Sequence, residues 1–323
     1  MSEVYVESEF APLRTVVLAR SEVAVPSSAV SSDDMRFLPA DSLLRNPVGG
    51  DMRDLDPARQ ARWEREREAF RAVLERHGVR VHRPRALTAA EKAAAGTDGY
   101  ANFFARDPFF TVGRHVVEAS MRFLHRRREV LPLRPVMLDH VYPADCTYVA
   151  VPVPEVAAPD DPALGPGPFL EGGDVLVLGD RVFVGTSGLA SNPLGIRWLD
   201  KLLAPHGYTV ETVRLHERML HLDCALGLVR EGLLVVCEEA LPDGLPESLK
   251  DWDRITVDLE RATLLATNGL PLGPDVYVTD PAFAFVGERV EGFGVRVEYV
   301  DFSVTRSLGG SFRCSTQPLL RRF

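Results

Sequence analysis

One local arrangement recurs along this chain: two short apolar strands joined by a tight turn, then a helix and a further strand. In the stretch 171–184 the two strands flank Gly179-Asp180, a dipeptide typical of a two-residue β-hairpin turn. The stretches 107–118 and 221–238 share this layout, and 12–19 resembles one member of another unit. Such a unit buries only one of its faces, so that several copies must stack or close into a ring. The sequence therefore predicts an α/β fold of about five repeated hairpin-helix-strand units.

The helix after the second hairpin carries clear start and stop signals. Asn192 is a favourable N-cap, Pro193 suits the first helical turn, and Gly207 is suited to end the helix. Its predicted apolar face consists of Leu194, Trp198, Leu199, Leu202 and Leu203. A strand at 208–215 follows. A second amphipathic helix, at 60–77, precedes a strand at 79–82.

Three long stretches have the composition of loops, namely 24–52, 88–101 and 157–168. Long loops are unusual in a folded domain unless they have a function. We expect that some of them form a lid over the functional site.

Polar residues of types that can act in catalysis stand where each predicted hairpin begins. These are Asp107, then Glu171 and Asp174, then His221 and Asp223. Cys314 opens the last unit, after the pair Gly309-Gly310, which allows a sharp turn and a close approach of other groups. If the units are related by rotation, these positions converge at one end of the fold. The alternative is that they merely cap strands at the surface.

Composition narrows the class of protein. The chain has 323 residues, of which 46% are hydrophobic, and we expect a single catalytic domain over 1–323. The net charge of −9 disfavours a nucleic-acid surface, and the basic run at 122–128 is interpreted as a solvated face or subunit contact. No apolar run is long enough for a bilayer and residues 1–10 do not resemble a signal peptide, so no membrane partner is expected. The four cysteines lie far apart, which suits a cytoplasmic protein.

A thiol, an imidazole and several carboxylates would repel one another as anions unless a cation joins them. A guanidinium is planar and permanently charged, and it pairs bidentately with carboxylates such as Asp107 and Asp223. Its carbon would then be open to the sulfur of Cys314, and the bound cation would favour the thiolate. Glu171 beside His221 would favour an imidazolium that can protonate a departing amine. No metal is expected, since His221, Cys224 and Cys237 lack a zinc-ligand spacing, and the two latter cysteines are interpreted as core residues.

Four motifs in this order resemble the guanidino-group-modifying enzymes, which include amidinotransferases, deiminases and dimethylarginine hydrolases. They are 105–108 (Ala-Arg-Asp-Pro), 171–174 (Glu-Gly-Gly-Asp), 221–223 (His-Leu-Asp) and 309–314 (Gly-Gly-Ser-Phe-Arg-Cys). The resemblance implies a five-bladed α/β propeller with a Cys nucleophile, a His acid/base with its carboxylate, and two Asp that hold the guanidinium. Those roles fall on Cys314, His221, Glu171, Asp107 and Asp223. We assign Asp174, Arg106 and Arg313 of the same motifs to substrate binding as well.

The residues resemble two different branches of this superfamily. The stretches 118–121, 192–199 and 305–310 resemble amidinotransferases of the glycine and aminocyclitol type, whereas Glu171-Gly172-Gly173-Asp174 is more similar to deiminases. No basic residue stands near Ala240 to bind the α-carboxylate of a donor, and Arg313 stands where many relatives have His.

We predict an amidinotransferase that moves the amidino group of L-arginine, or of a related guanidine, to an amine through an amidino-cysteine intermediate. The alternatives are a guanidine hydrolase or deiminase of the arginine, agmatine or dimethylarginine type, or an inactive guanidine-binding module. The expected partners are a cationic guanidine and an amine acceptor. No cofactor is expected, and a homodimer is left open.

Overall fold

The computed structural model describes residues 3–26, 37–38, 42–154 and 165–323. Residues 27–36 and 39–41 of the predicted loop 24–52 lie outside the described residues, as do residues 157–164 of the predicted loop 157–168. The parts of the expected lid that fall on these residues therefore also lie outside them.

Four sheets in the described ranges repeat the arrangement that the sequence predicts. In each, an antiparallel hairpin receives a third strand that runs parallel to its second strand. The strands of these sheets are β6 (Phe109–Val112), β7 (His115–Glu118) and β8 (Thr147–Ala150); β9 (Val175–Leu178), β10 (Arg181–Thr186) and β11 (Thr209–Arg214); β12 (Leu226–Arg230), β13 (Leu233–Val236) and β14 (Asp253–Thr256); and β15 (Leu270–Gly273), β16 (Val276–Thr279) and β17 (Arg296–Tyr299). The predicted turns at Gly113-Arg114 and Gly179-Asp180 join the first two hairpins, and both glycines have positive φ.

A further sheet joins the two ends of the described chain in the order β1-β18-β2-β4. Its strands are β1 (Tyr5–Val6), β2 (Leu13–Leu18), β4 (Arg80–His82) and β18 (Thr316–Arg321). The prediction that 12–19 belongs to another unit is confirmed, because β2 pairs antiparallel with β18 and parallel with β4. The segment with Cys314 leads directly into β18, so it is fixed by pairing on both sides of that strand. A short pair, β3 (Val23–Ala24) with β5 (Tyr100–Ala101), stands apart from these sheets.

The two predicted helices form. They are α3 (Pro57–Arg76) and α6 (Pro193–Leu203), and the Asn192 side chain accepts a hydrogen bond from the Gly195 amide, as expected of its N-cap. One part of the predicted apolar face is wrong: Leu194 is 38% exposed, and Ile196, which the prediction omitted, is buried. The other helices are α1 (Ser42–Arg45), α2 (Met52–Leu55), α4 (Ala89–Ala95), α5 (Arg134–Val136), α7 (Leu259–Thr263), α8 (Ala284–Gly292) and α9 (Ser303–Ser307). Within the described residues we find no helix that combines the length and apolarity needed to cross a bilayer.

The stretch 88–101 is not a loop. It contains α4 and β5, because Thr88 and Glu91 form a capping box in which each side chain accepts from the backbone amide of the other residue. That reciprocal pair stabilises the first turn of α4, and the alanine-rich composition of the segment also favours a helix.

Aromatic packing anchors the C-terminal segment to the core. The rings of Phe302 and Phe312 stack with their centroids 4.3 Å apart, and Phe70 of α3 meets both of them edge-on. All three side chains are buried. Because Phe312 lies two residues before Cys314, this cluster fixes the position of the thiol relative to α3.

Candidate active site

Short turns at the starts of three hairpins carry the polar residues that the sequence singled out. Asp107 lies just before β6, while Glu171 and His221 each directly precede one turn of 3₁₀-helix, at Gly172–Asp174 and Leu222–Cys224. The expectation that His221 and Asp223 lie on a strand is therefore wrong. The 3₁₀ turn forms because the Asp174 carboxylate accepts a hydrogen bond from the Leu222 amide at 3.0 Å, while the Cys224 amide bonds back to the His221 carbonyl.

His221 and Glu171 are in direct contact. His221 Nε2 lies 2.9 Å from Glu171 Oε2, and both side chains are buried. The other carboxylate oxygen of Glu171 accepts from the Arg122 amide at 2.9 Å, and the Glu171 amide donates to Ser191 Oγ. These contacts fix the carboxylate and therefore the orientation of the imidazole ring.

Asp107 presents one oxygen to the opposite side of the same ring. Its Oδ1 lies 3.7 Å from His221 Nδ1 and has no hydrogen-bond partner, although it is buried. Its Oδ2 accepts from Arg126 Nη2 at 2.7 Å. Gly173 lets the two side chains approach, since a Cβ there would lie 2.5 Å from His221 Nδ1 and 2.7 Å from Asp107 Oδ1. A buried carboxylate oxygen without a partner is unusual, and it marks a place where a cation can bind.

The Cys314 loop brings a thiol to the same region. The Cys314 amide donates to Asn268 Oδ1, and the Asn268 amide group donates to the Asp223 carbonyl oxygen. The sulfur lies 3.7 Å from Asp223 Oδ2. Gly310 allows the loop to pass Phe104, because a Cβ at this position would lie 2.3 Å from that ring. The pair of glycines before Cys314 therefore has the function that the sequence indicates, a close approach of the backbone to another group.

Arg313 and Arg106 are part of a buried ion cluster and do not line the pocket next to Cys314. Arg313 donates to both oxygens of Glu9, at 3.0 and 3.1 Å, and to Asp223 Oδ2 at 2.9 Å. Arg106 packs against this cluster and donates weakly to the Arg313 carbonyl at 3.4 Å. The contacts of Arg313 thus tie the cysteine loop to the His221–Asp223 turn, and they leave its guanidinium no free face for a substrate.

Asp174, the third of the residues assigned to substrate binding from motifs alone, is also absent from the pocket lining. Its two oxygens accept from the backbone amides of Ser191 and Leu222, at 3.1 and 3.0 Å. The Asp174 side chain thus connects the loop at Ser191 to the turn at Leu222.

The basic run at 122–128 is not merely a solvated face, because Arg126 is buried in the site. Its guanidinium donates to Glu129 at 2.7 and 2.9 Å and to Asp107, and it lies 3.5 Å from Glu171. Sequence reasoning missed Arg126 and Glu129, as well as Glu9, Ser191 and Asn268. The only local signal was the i,i+3 spacing of Arg126 and Glu129, which is common on exposed surfaces as well.

A pocket joins three of the expected site residues. Asp107, His221 and Cys314 line it together with Arg126, Glu129 and a set of mostly apolar side chains. Parts of two predicted lid segments contribute to its wall: Val25, Phe37 and Leu38 from 24–52, and Tyr100 from 88–101. Among the described residues there is no group of three or more His, Cys, Asp or Glu side chains arranged to hold a metal ion.

Comparison with known proteins assigns the superfamily. Residues 100–260 match the family model for arginine deiminase. The inosamine-phosphate amidinotransferase 1 of Streptomyces griseus is 27% identical over 281 residues, which cover 80% of either chain. An amidinotransferase of the saxitoxin biosynthetic pathway from Microseira wollei has the same fold, with a TM-score of 0.81 and 19% identity over 99% of this chain and 98% of its own.

The chain belongs to the guanidino-group-modifying enzyme superfamily. The α/β class expected from the repeats is thereby confirmed. An uncharacterized protein of Bacillus subtilis, YkgA, is 34% identical over 153 residues, and this match covers 47% of our chain and 52% of YkgA. The chain therefore aligns with only about half the length of that relative.

The charges of this superfamily member favour a neutral thiol beside a charged imidazole. Burial alone would lower the pKa of His221, but the carboxylates of Asp107, Glu171 and Asp174 raise it to about 10. Burial, together with the charges of Asp223 and Asp107, raises the pKa of the Cys314 thiol well above its usual value. Burial would raise the pKa of Asp107, yet His221 and Arg126 hold it below the usual range. In the resting site, an imidazolium and an ionised Asp107 therefore stand beside a protonated sulfur.

Such a site can bind a cation, stabilise a thiolate once the cation has bound, and supply a proton to a leaving group. The pocket wall carries a second carboxyl group, that of Glu129. Burial raises its pKa to about 7 even though Arg126 opposes this, so Glu129, unlike Asp107, is partly neutral at physiological pH.

Proposed function

We propose that this protein is an amidinotransferase that transfers the amidino group of L-arginine, or of a related guanidine, to an amine. The observation that carries the proposal is the unpartnered Oδ1 of Asp107, which lies beside the His221 ring in a pocket that also contains Cys314. The named relatives that align over 80% of this chain support it, since they are amidinotransferases.

The first half-reaction assigns one role to each group. The substrate guanidinium binds against Asp107, and the Cys314 thiol then loses its proton to solvent. The resulting thiolate attacks the central carbon of the guanidinium, so that a C–S bond forms. The C–N bond to the substituted nitrogen then breaks, and His221 gives its proton to this departing amine. An amidino-thioether on Cys314 remains, with Glu171 holding the now neutral imidazole in place.

The second half-reaction reverses these steps with a different amine. The acceptor enters the space that the first amine has left, and its nitrogen attacks the thioether carbon while His221 takes its proton. The C–S bond breaks and the sulfur leaves as thiolate. Asp223, which lies 3.7 Å from the sulfur, and Arg313, which holds Asp223, position the nucleophile. Asp223 does not line the pocket, and its expected contact with the guanidinium stays a prediction.

A second candidate is a guanidine hydrolase, in which water resolves the same thioether. Two observations favour it: the match of residues 100–260 to the arginine deiminase family, and a Glu at position 171, which resembles the deiminases. A hydrolase that expels the substituted amine shares every step up to this thioether, and attack by water then gives a urea. A deiminase instead expels ammonia in the first half-reaction, so that the substituted nitrogen stays on the thioether carbon and water gives citrulline from arginine.

We also infer that the five repeated units close around a common axis into a five-bladed propeller, with one catalytic domain spanning 1–323. Pairing of β18 with both β1 and β2 supports this closure, because it brings the first and last units into one sheet. A cytoplasmic location, which the four free cysteines support, is part of the same proposal.

One assay separates the two functions. The enzyme is mixed with L-arginine and with other guanidines, first alone and then with candidate amines such as glycine, lysine or an amino sugar, and the products are separated. A transferase releases at most one equivalent of the donor amine until an acceptor is added, and turnover then begins. Steady release of ammonia and citrulline, or of a urea, in the absence of any acceptor would instead establish the hydrolase.

A further inference from the structure

Apart from its catalytic groups, the pocket is enclosed largely by apolar side chains. Phe103, Phe104, Phe123, Leu220 and Leu308 contribute to its wall, and they come from four separate segments of the chain. An apolar wall of this kind binds methylene groups and rings by removing them from water, and it offers nothing to an ionised group.

The neutral polar groups of the wall already use their donors inside the protein. The hydroxyl of Ser42 donates to the Ser307 carbonyl, and Asn46 donates to the carbonyls of Ser42 and Ser307, both at 2.9 Å. The hydroxyl of Tyr100 donates to Asp51. A ligand carboxylate would therefore have to break an internal hydrogen bond to gain one of these donors.

The basic groups of the described wall are no better suited to an anion. Burial, with help from Arg126, lowers the pKa of His125 to about 4, so its imidazole is neutral at pH 7. Arg126 already contacts three carboxylates, those of Glu129, Asp107 and Glu171. The other cation of the described wall, the His221 imidazolium, lies between the carboxylates of Glu171 and Asp107. Each cation among the described wall residues therefore has a carboxylate partner already, and such a wall attracts a guanidinium and repels a carboxylate.

We propose that the guanidine substrate carries an apolar substituent without a carboxylate, as in alkyl- and arylalkylguanidines, and that the acceptor amine is of the same class. This inference rests on the proposed function, because the donor's amine and the acceptor occupy the same walls in turn. It narrows the donor from arginine-like amino acids to guanidines whose remaining part is hydrophobic.

The test uses three ligands that differ by one group at a time. L-arginine, agmatine and butylguanidine share the same guanidine and a chain of similar length. Agmatine lacks the carboxylate of arginine, and butylguanidine lacks both the carboxylate and the amino group. Binding to the Cys314→Ser variant, which cannot form the thioether, is measured by calorimetry. We expect butylguanidine to bind at least about tenfold more tightly than arginine, since a carboxylate in this pocket would be left without a partner. Arginine bound as tightly as butylguanidine, or no binding of either, would overturn the inference.

Two matched variants probe the wall itself. Leu308→Lys introduces a cation at the pocket, while Leu124→Lys introduces the same cation at a leucine that is 53% exposed and outside the pocket lining. The first change should move the preference toward arginine by about tenfold, through one new charge-assisted contact, and the second should leave it unchanged. Equal effects of the two substitutions would also contradict the proposal. Thermal unfolding of each variant is measured beside the binding, and the comparison of ligands on the unaltered wall decides the matter even if Leu308→Lys does not fold.

A separate readout keeps this inference distinct from the proposed function. Intact-mass spectrometry of the wild-type enzyme shows whether Cys314 gains an amidino group from whichever guanidine binds best. Tight binding of butylguanidine without an adduct would refute the amidino-cysteine step and leave the preference standing. An adduct that forms from arginine at equal or higher efficiency would support the amidino-cysteine step and refute the preference for a guanidine without a carboxylate.

Discussion

The thiol of Cys314 should become reactive only when a cation occupies the site. This can be measured with two alkylating reagents that carry the same chloromethyl group. Chloroacetamidine is a cation with the shape of a guanidine fragment, whereas chloroacetamide is its neutral counterpart. In the free enzyme, burial and the charges of Asp223 and Asp107 keep the pKa of the thiol well above its usual value. A reagent that brings its own positive charge against Asp107 should therefore generate the thiolate that it alkylates.

The size of the effect follows from the geometry. A unit charge about 4 Å from the sulfur changes the energy of the thiolate by about 4 kcal/mol at an effective dielectric constant of about 20. The carboxylate of Asp223 stands at a comparable distance, 3.7 Å, so a bound cation offsets a penalty of the same order. One pKa unit corresponds to about 1.4 kcal/mol, so that the thiolate fraction rises by about 10²- to 10³-fold near neutral pH.

The assay compares inactivation rates, each divided by the rate of the same reagent with glutathione. We expect the normalised rate of the cationic reagent to exceed that of the neutral one by about 10²- to 10³-fold. Asp107→Asn should reduce this ratio at least about tenfold, because the reagent loses its charged partner. The matched control is Asp145→Asn, which removes an exposed carboxylate next to Cys146 and should leave the ratio at Cys314 unchanged. Equal normalised rates for the two reagents on the wild-type enzyme would refute the reasoning.

Three further results are expected. Cys314→Ser should retain the fold but lose turnover and the amidino adduct, since a serine hydroxyl does not ionise near neutrality, and an adduct that persists in intact-mass spectra would remove Cys314 from the mechanism. His221→Ala should lose about 10²- to 10⁴-fold in rate, whereas Glu171→Gln should retain more activity because it only orients the ring; equal losses in steady-state rates would make Glu171 a proton carrier itself. The raised pKa of His221 means that the imidazolium is present below pH about 10 and is lost above it, so single-turnover release of the first amine should fall on that alkaline side and show no decline between pH 7 and 9.

The repeated units were predictable because their signals are local. A Gly-Asp turn between two apolar strands and an Asn-Pro helix start each depend on a few neighbouring residues, and both were confirmed. The proximity of Glu171 and His221, which are 50 residues apart in the chain, also followed from the sequence, since both precede equivalent strands. The local conformation at His221 did not, because the 3₁₀ turn after it depends on a hydrogen bond to Asp174, which lies 48 residues away from Leu222 in the chain.

The supporting arginines could not be read from the chain for a different reason. Arg126 stands among three other arginines, and nothing in that run distinguishes the guanidinium that contacts Asp107 and Glu129 from the half-buried Arg127 or the exposed Arg128. Arg313 carried a motif position, which suggested contact with substrate, yet its partners Glu9 and Asp223 lie far away in sequence and consume its donors. Burial of a charged group is decided by long-range partners, which a single sequence does not show.

The two buried arginines explain how the site can react with cationic electrophiles and yet keep its thiol unreactive toward neutral ones. Arg313 pairs with Asp223 near the sulfur, and Arg126 occupies one oxygen of Asp107. Burial would raise the pKa of Asp107, but His221 and Arg126 hold it below its usual range, so this buried carboxylate stays ionised without a bound substrate. One oxygen of Asp107 is left without a hydrogen-bond partner, and burial together with the charges of Asp223 and Asp107 raises the pKa of the Cys314 thiol, which keeps it protonated. A neutral electrophile meets an unreactive thiol, whereas a cation that reaches that oxygen removes the obstacle to ionisation. We propose that recognition of the substrate and activation of the nucleophile are one electrostatic event, so that a mutation that neutralises Asp107 should weaken both together.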